Sequence, residues 1–256
     1  MDHASREHLL NADAPTQLRL LELQDKDTRL GQLSHRASTL PESGRLADAE
    51  TRFARLRDEV VAAETIASDL ERDQEKADQD VEQVRERTRR DQQLLDSGTI
   101  GDPKQLQSIQ SELQSLGRRQ AELEDVELEI MERVEGARAA VAQLTRDRDA
   151  VANERDALAA EVAVLLAEID DERREVESAR TGIAEGIPSD LLTLYDKIRA
   201  DHGGVGAAPL HRGRCEGCRL QLPPNEIEAI RAAAPDAVIR CEECRRILVR
   251  TPESGL

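Results

Sequence analysis

The chain has no tryptophan, one phenylalanine (Phe53) and one tyrosine (Tyr195). Aromatic side chains bury the most apolar area per residue, so a compact core for 256 residues would normally use many of them. Their scarcity argues against ordinary globular domains and for a thin structure that buries Leu, Val, Ile and Ala. Long hydrophobic runs are missing too. None approaches the roughly 20 apolar residues that span a bilayer, and the opening MDHASREHLLNADAP has no hydrophobic signal core. A cytoplasmic protein with no membrane partner is expected. Cysteine is limited to four residues. In a reducing compartment, paired CxxC units favour a metal over disulfides.

What is abundant is charge. Charged residues make up 35% of the chain and the net charge is −17. High Ala, Glu, Arg and Leu content points to long helices. The charge is uneven. Residues 201–256 hold eight Arg and eight acidic residues, so residues 1–200 carry the whole −17. An acidic body repels nucleic acid, whereas a neutral C-terminal segment does not.

Stepping by alternating threes and fours from Leu46 to Leu95 visits fifteen positions, of which twelve are apolar. From Leu106 to Ile183 the same rule visits twenty-three positions, of which eighteen are apolar. Heptads sustained in this way, with charged flanks, predict a left-handed coiled coil. Unbroken periodicity disfavours the competing arrangement, several short helices in a compact bundle. Between the runs lies LLDSGTIGDPKQLQ. Gly98 and Gly101 permit a turn, Asp102 suits the N-cap of a second helix, Pro103 its first position, and Gln105 completes a capping box. Two helices joined by so short a loop must run antiparallel. With residue 100 as the tip, Leu46 faces residue 155. The arms then match over about 80 residues, a rod of roughly 120 Å. LPESG at 40–44 breaks the phase and predicts a kink or helix break at Pro41.

After the hairpin, EGIPSDLLTLYDKIRADHGG predicts a short helix capped near Ser189, followed by a Gly-rich link into a β-strand. The cysteines then come as Cys215-x2-Cys218 and Cys241-x2-Cys244. Each CxxC turn aims two thiolates at one centre, and two turns supply the tetrahedron that zinc accepts. RLQL, DAVIR and RILV read as the strands of a zinc ribbon, and PPNEIEAIRAAAP as a helix between its knuckles. Four thiolates leave no position for water, so the single Zn2+ is expected to be structural. An iron site and a redox-active CxxC are the rival readings. His211 lies near the knuckles and is expected at the surface rather than in the ligand set. No catalytic motif occurs, so no catalytic residue is assigned and the protein is expected not to be an enzyme. The ribbon and the hairpin are expected to share little core, so that chelation unfolds the C-terminal segment and leaves the helices of 16–183 nearly intact.

The segments LPESGRL, SGTIGDPKQLQSIQSEL, LLTLYDKIR, GRCEGCRLQLPPNEI and IRCEECRRILVR resemble those of a bacterial family of long coiled-coil hairpins ending in a C4-type zinc ribbon. The resemblance spans about residues 16–250. It implies cytosolic proteins regarded as nucleic-acid-binding or as chaperone-like adaptors, with Cys215, Cys218, Cys241 and Cys244 as zinc ligands. Two departures stand out. Arg245-Arg246 replace the Gly-Arg that often follows the second knuckle, so a positive φ there would strain Arg245. Val249-Arg250 replace a terminal aromatic, so base stacking would have to come from Arg planes.

The expected architecture is mainly α, a long antiparallel coiled-coil hairpin with a small C-terminal β zinc ribbon. Its parts are a disordered N-terminus (1–15), the hairpin (16–185, tip loop 96–103), a short helix and linker (186–204) and the ribbon (205–252). Two functions fit. One is weakly sequence-specific binding of RNA or DNA through Arg212, Arg214, Arg219, Arg240, Arg245, Arg246 and Arg250, whose forks suit phosphate. The other is a protein-binding adaptor or chaperone that docks partners at the ribbon and at the tip. There the basic VRERTRR of 84–90 faces Arg118 and Arg119. A small-molecule substrate is not expected, and the oligomeric state is open.

Overall fold

The computed structural model describes residues 10–256. The chain forms two units, one joining the residues up to Pro41 with Glu161–Leu256, the other Glu42–Ala160. Among the described residues, five helices and four short strands follow in order. The helices are α1 (Ala14–Ser38), α2 (Pro41–Asp96), α3 (Pro103–Ala184), α4 (Ser189–Asp201) and α5 (Pro224–Ala232). The strands are β1 (Ala207–His211), β2 (Arg214–Cys215), β3 (Ile239–Arg240) and β4 (Ile247–Val249).

The unit Glu42–Ala160 is the antiparallel coiled-coil hairpin that the heptads predict. Its seam buries Ala49, Val60, Ala67, Leu70, Ala77 and Val81 of α2 with Val134 and Leu158 of α3, all at the predicted heptad positions. The helix break falls at Pro41, where α2 begins. At the turn Gly98 adopts φ +62°, and the Asp102 carboxylate accepts from the Lys104 amide at 3.0 Å, with Pro103 opening α3. The register differs from expectation. Arg155 lies over the Phe53 ring at 4.4 Å, and Arg52 pairs with Glu154 at 2.8 Å. Leu46 therefore sits roughly one to two helical turns from its expected partner. Counting symmetrically from residue 100 assumes that both helices start level, and the loop between Asp96 and Pro103 does not require that.

The other unit gathers α1, the end of α3, α4 and the ribbon. The sheet order is β2-β1-β4-β3, with β1 and β4 parallel and the two outer pairs antiparallel. RLQL contributes only an isolated bridge, Gln221 to Arg214, instead of a strand. α4 starts at Ser189 without a side-chain cap.

Two expectations for this unit are corrected. The first concerns the stretch 1–15, whose first nine residues lie outside those described. From Leu10 onward the chain is ordered. The Val238 amide donates to Leu10 O at 3.0 Å and the Ala12 amide to Asp236 O at 2.7 Å, while the Asp13 carboxylate caps α1 through the Thr16 amide at 2.9 Å. The second correction concerns the core. Leu20 and Leu23 of α1, Leu191, Tyr195 and Ile198 of α4, and Ala207, Ile247 and Val249 of the ribbon form one buried cluster. The ribbon keeps a second, smaller cluster around its thiols, with Ala208, Leu210, Leu222, Ile230 and Leu248, but the alternate residues of β1 and β4 are buried in the core of the helices.

A polar network crosses the same region. The Tyr195 hydroxyl donates to Asp27 at 2.7 Å, and Asp27 also accepts from Arg180 at 2.7 Å and pairs with Arg199 at 3.3 Å. The Gln24 carboxamide oxygen accepts from the Gly206 amide at 2.7 Å, and its nitrogen donates to Gly204 O at 2.9 Å. Burial first, then the bond to Asp27, raises the Tyr195 pKa far above that of a free phenol. The contact of Gly206 with Tyr195 is close. A Cβ at 206 would stand 2.7 Å from Tyr195 O and 2.8 Å from its ring. Gly206→Ala is therefore expected to lower thermal stability by about 1–3 kcal/mol, the usual cost of overpacking, measurable as a lowered melting temperature.

Candidate metal centre and the arginines around it

Both knuckles fold in the same way. In the first, the Arg219 amide donates to Cys215 O at 2.7 Å and the Cys215 amide to Leu220 O at 3.0 Å. In the second, the Arg245 amide donates to Cys241 O at 2.8 Å and the Cys241 amide to Arg246 O at 3.0 Å. Each tight turn forces the residue after its second cysteine into the left-handed region, with φ +63° at Arg219 and +60° at Arg245. These turns bring the four Sγ atoms within 4.8 Å of one another. Cys215 and Cys244 are 3.8 Å apart, Cys218 and Cys241 4.0 Å. A tetrahedral zinc with Zn–S of about 2.3 Å places its sulfurs about 3.8 Å apart, so the cluster fits zinc.

The thiols are electrostatically unequal. Burial pushes Cys215 up strongly and Cys241 up to about 11. At Cys244 burial also opposes ionisation, but hydrogen bonds from the backbone and side chain of Arg246, with help from Cys241 and Cys218, bring the thiol below its usual value. A metal must displace protons from the two inner cysteines, and it supplies the charge that burial otherwise denies them. Four sulfurs complete the tetrahedron, so the site holds one structural zinc. His211 is engaged elsewhere, its Nδ1 3.3 Å from the Glu253 carboxylate.

The seven arginines expected to bind phosphate separate into distinct groups. Arg212, Arg219 and Arg245 are exposed, and they are the non-glycine residues with positive φ among those described. Arg214 is exposed and paired with Glu216 at 2.7 Å. Arg240 is half-buried, its Nε donating to Arg245 O at 3.0 Å. Arg246 and Arg250 face inward. Arg246 donates to His202 O at 2.8 Å, Val205 O at 3.1 Å and Gly217 O at 3.3 Å. Arg250 donates to Ala234 O and Pro235 O at 2.8 Å and to Ala237 O at 3.1 Å. The sequence reading missed these two bracing roles, since an arginine that ties loops together reads like a solvated one. It also missed Gln24 and Asp27, which stand in a charged stretch. The signal that could have found them is Tyr195, a lone tyrosine whose hydroxyl needs a partner once buried.

Comparison with known proteins agrees with this anatomy. Residues 23–203 match the CT398-like coiled coil hairpin domain, and residues 214–248 match the C4-type zinc ribbon domain. The chain is similar to the uncharacterized protein Rv2229c of Mycobacterium tuberculosis, at 38% identity over 94% of this chain and 98% of that one. It is also similar to the uncharacterized protein ML1638 of Mycobacterium leprae, at 28% identity over 85% and 93%. Among solved structures, a Mycobacterium smegmatis protein superposes with TM-score 0.83 at 35% identity, over 94% of this chain and 100% of that one. CT398 from Chlamydia trachomatis shares the fold, with TM-score 0.68 at 18% identity over 93% and 98%. Among the described residues, no helix is long and apolar enough to cross a membrane. With its hairpin and its four-cysteine knuckles both accounted for, the chain belongs to the family of CT398-like coiled-coil hairpins that end in a C4-type zinc ribbon.

Proposed function

We propose that this is a non-enzymatic cytoplasmic protein that binds RNA or DNA, with little sequence preference, through the exposed arginines of its zinc ribbon. One observation carries the reading. Arg212, Arg219 and Arg245 occupy left-handed backbone positions, where glycine would rest without strain and a side chain with a Cβ costs roughly 1 kcal/mol or more. Strained residues persist where the side chain has a use. These three present planar, permanently charged forks at the turns of the ribbon, the geometry that phosphate oxygens accept. Arg246 and Arg250, spent on backbone carbonyls, are withdrawn from the contact set.

Glycine substitution tests this without disturbing the turns. The zinc-loaded chain with Arg212, Arg219 and Arg245 all changed to Gly is expected to remain folded and at least as stable, yet to bind an oligo(dT) strand more weakly. The slope of log affinity against log salt should fall by about two, at roughly 0.7 per phosphate contact on a single strand. Unchanged affinity and slope in the triple variant would remove the reading.

A second reading, a protein-binding adaptor, has its own support in the unit Glu42–Ala160. Toward the tip a groove of about 470 Å³ is lined by Val84, Leu116 and Leu123 together with Arg87, Arg90 and Arg119 and the acidic Asp80 and Glu86. Such a mixture of apolar side chains and charges of both signs suits an amphipathic helix of a partner protein. Binding that survives the glycine triple variant and is lost on changing Arg90 and Arg119 to Glu would favour it.

A further inference from the structure

We propose that Arg246 is the positioning residue of the metal centre, locking both knuckles in place and fastening them to the end of α4, so that zinc binding and the ordering of α4 are one event. The proposal is independent of what the ribbon binds. It stands on where the three guanidinium nitrogens go. Nη1 donates to Gly217 O, within the first knuckle, at 3.3 Å. Nη2 donates to His202 O, the residue that ends α4, at 2.8 Å. Nε donates to Val205 O, in the link between them, at 3.1 Å. The residue itself lies two positions after Cys244, and its carbonyl accepts from the Cys241 amide at 3.0 Å. One side chain of the second knuckle thus holds the first knuckle, the linker and a helix C-terminus.

Packing supports the same assignment. The Arg246 stem runs over Gly217 so closely that a Cβ there would meet Arg246 Cδ at 2.9 Å and Ala208 Cβ at 3.0 Å. The carbonyl at the end of α4 has no partner within its own helix, and Arg246 supplies one. Four thiolates on a divalent zinc leave excess negative charge, and the guanidinium beside Cys244 offsets it. Groups that orient metal ligands in this way typically change metal affinity by about 10–100-fold when removed. A lysine keeps the charge but is a point donor and cannot span three carbonyls.

The test uses the full chain, with R246M, R246K and R250M as variants. R250M is the control, because Arg250 braces the turn at 233–237 through four carbonyls without touching a knuckle. Zinc release to a competing chelator should be about 10–100-fold faster in R246M, intermediate in R246K and unchanged in R250M. With Co2+ in place of zinc, the ligand-field bands should shift or weaken in R246M alone. In the unaltered chain, zinc removal should abolish hydrogen-exchange protection over 189–201. Wild-type zinc release and an unperturbed cobalt spectrum in R246M would overturn the positioning role. Equal acceleration in R246M and R250M would reduce it to general bracing. Should R246M fail to fold, R246K and the exchange measurement still decide. Protection of 189–201 that survives zinc removal refutes the link to α4.

Discussion

Replacing Cys241 by serine is expected to abolish zinc retention, unfold the ribbon and loosen α4 and α1 with it, while the hairpin of 42–160 stays helical. Structural zinc contributes on the order of 10 kcal/mol to small ribbons, comparable to the whole stability of an ordinary domain, so a three-ligand site will not hold this fold. The consequence reaches beyond the knuckles because Ala207, Ile247 and Val249 close one buried cluster with Leu20, Leu23, Leu191 and Tyr195. When those strands leave, the helix faces beneath them meet water. The chain provides its own probe. It has one tyrosine and no tryptophan, so near-ultraviolet circular dichroism and intrinsic fluorescence report largely on Tyr195. That signal should collapse in the serine variant while far-ultraviolet helicity falls only by the share of the smaller helices. An intact Tyr195 signal in a zinc-free, ribbon-unfolded chain would mean that helices and ribbon fold separately after all.

The periodic and the covalent features of this fold are legible in the sequence. Heptads found the seam, because a residue's place on a helix face follows from spacing alone. Asp102 and Pro103 announced the second helix, Pro41 the break, and two CxxC units the metal. What sequence reading could not reach is whatever depends on which surfaces meet. The register needs the height at which each helix starts, which loop length leaves free. The shared core needs the docking of β1 and β4 on α1 and α4, and the apolar residues involved fit a self-contained ribbon equally well. Arginine is the clearest case. Arg245 and Arg246 are neighbours in sequence, yet one is exposed in a strained turn and the other is spent on three carbonyls. Only the path of the chain around them distinguishes the two.

Asp27→Ala is expected to destabilise the unit that contains the ribbon by about 3 kcal/mol, the low end of the 3–5 kcal/mol range for breaking a buried ion pair from one side. The Asp27 side chain is fully buried and serves Arg180, Arg199 and the Tyr195 hydroxyl together. Removing it strands two guanidinium groups and a phenol whose other partner is the Gln24 carboxamide at 3.2 Å. Two facts limit the loss. Arg180 keeps Asp196 at 3.0 Å, and both arginine side chains remain partly exposed, at 23% and 34%, so water can reach them. Asp27→Asn should fall between the variant and the unaltered chain, since the amide oxygen still accepts from Tyr195 but no longer offsets the arginines. The exposed pair of Arg85 and Glu124 is the natural comparison, and Glu124→Ala should leave the melting profile close to unchanged. Denaturation followed by the Tyr195 signal measures the two Asp27 variants, and far-ultraviolet helicity, which the hairpin dominates, measures Glu124→Ala. A loss well under 1 kcal/mol for Asp27→Ala would show that apolar packing alone seats α4, and the polar network would then serve to align β1 through Gln24 instead of to hold the helices together.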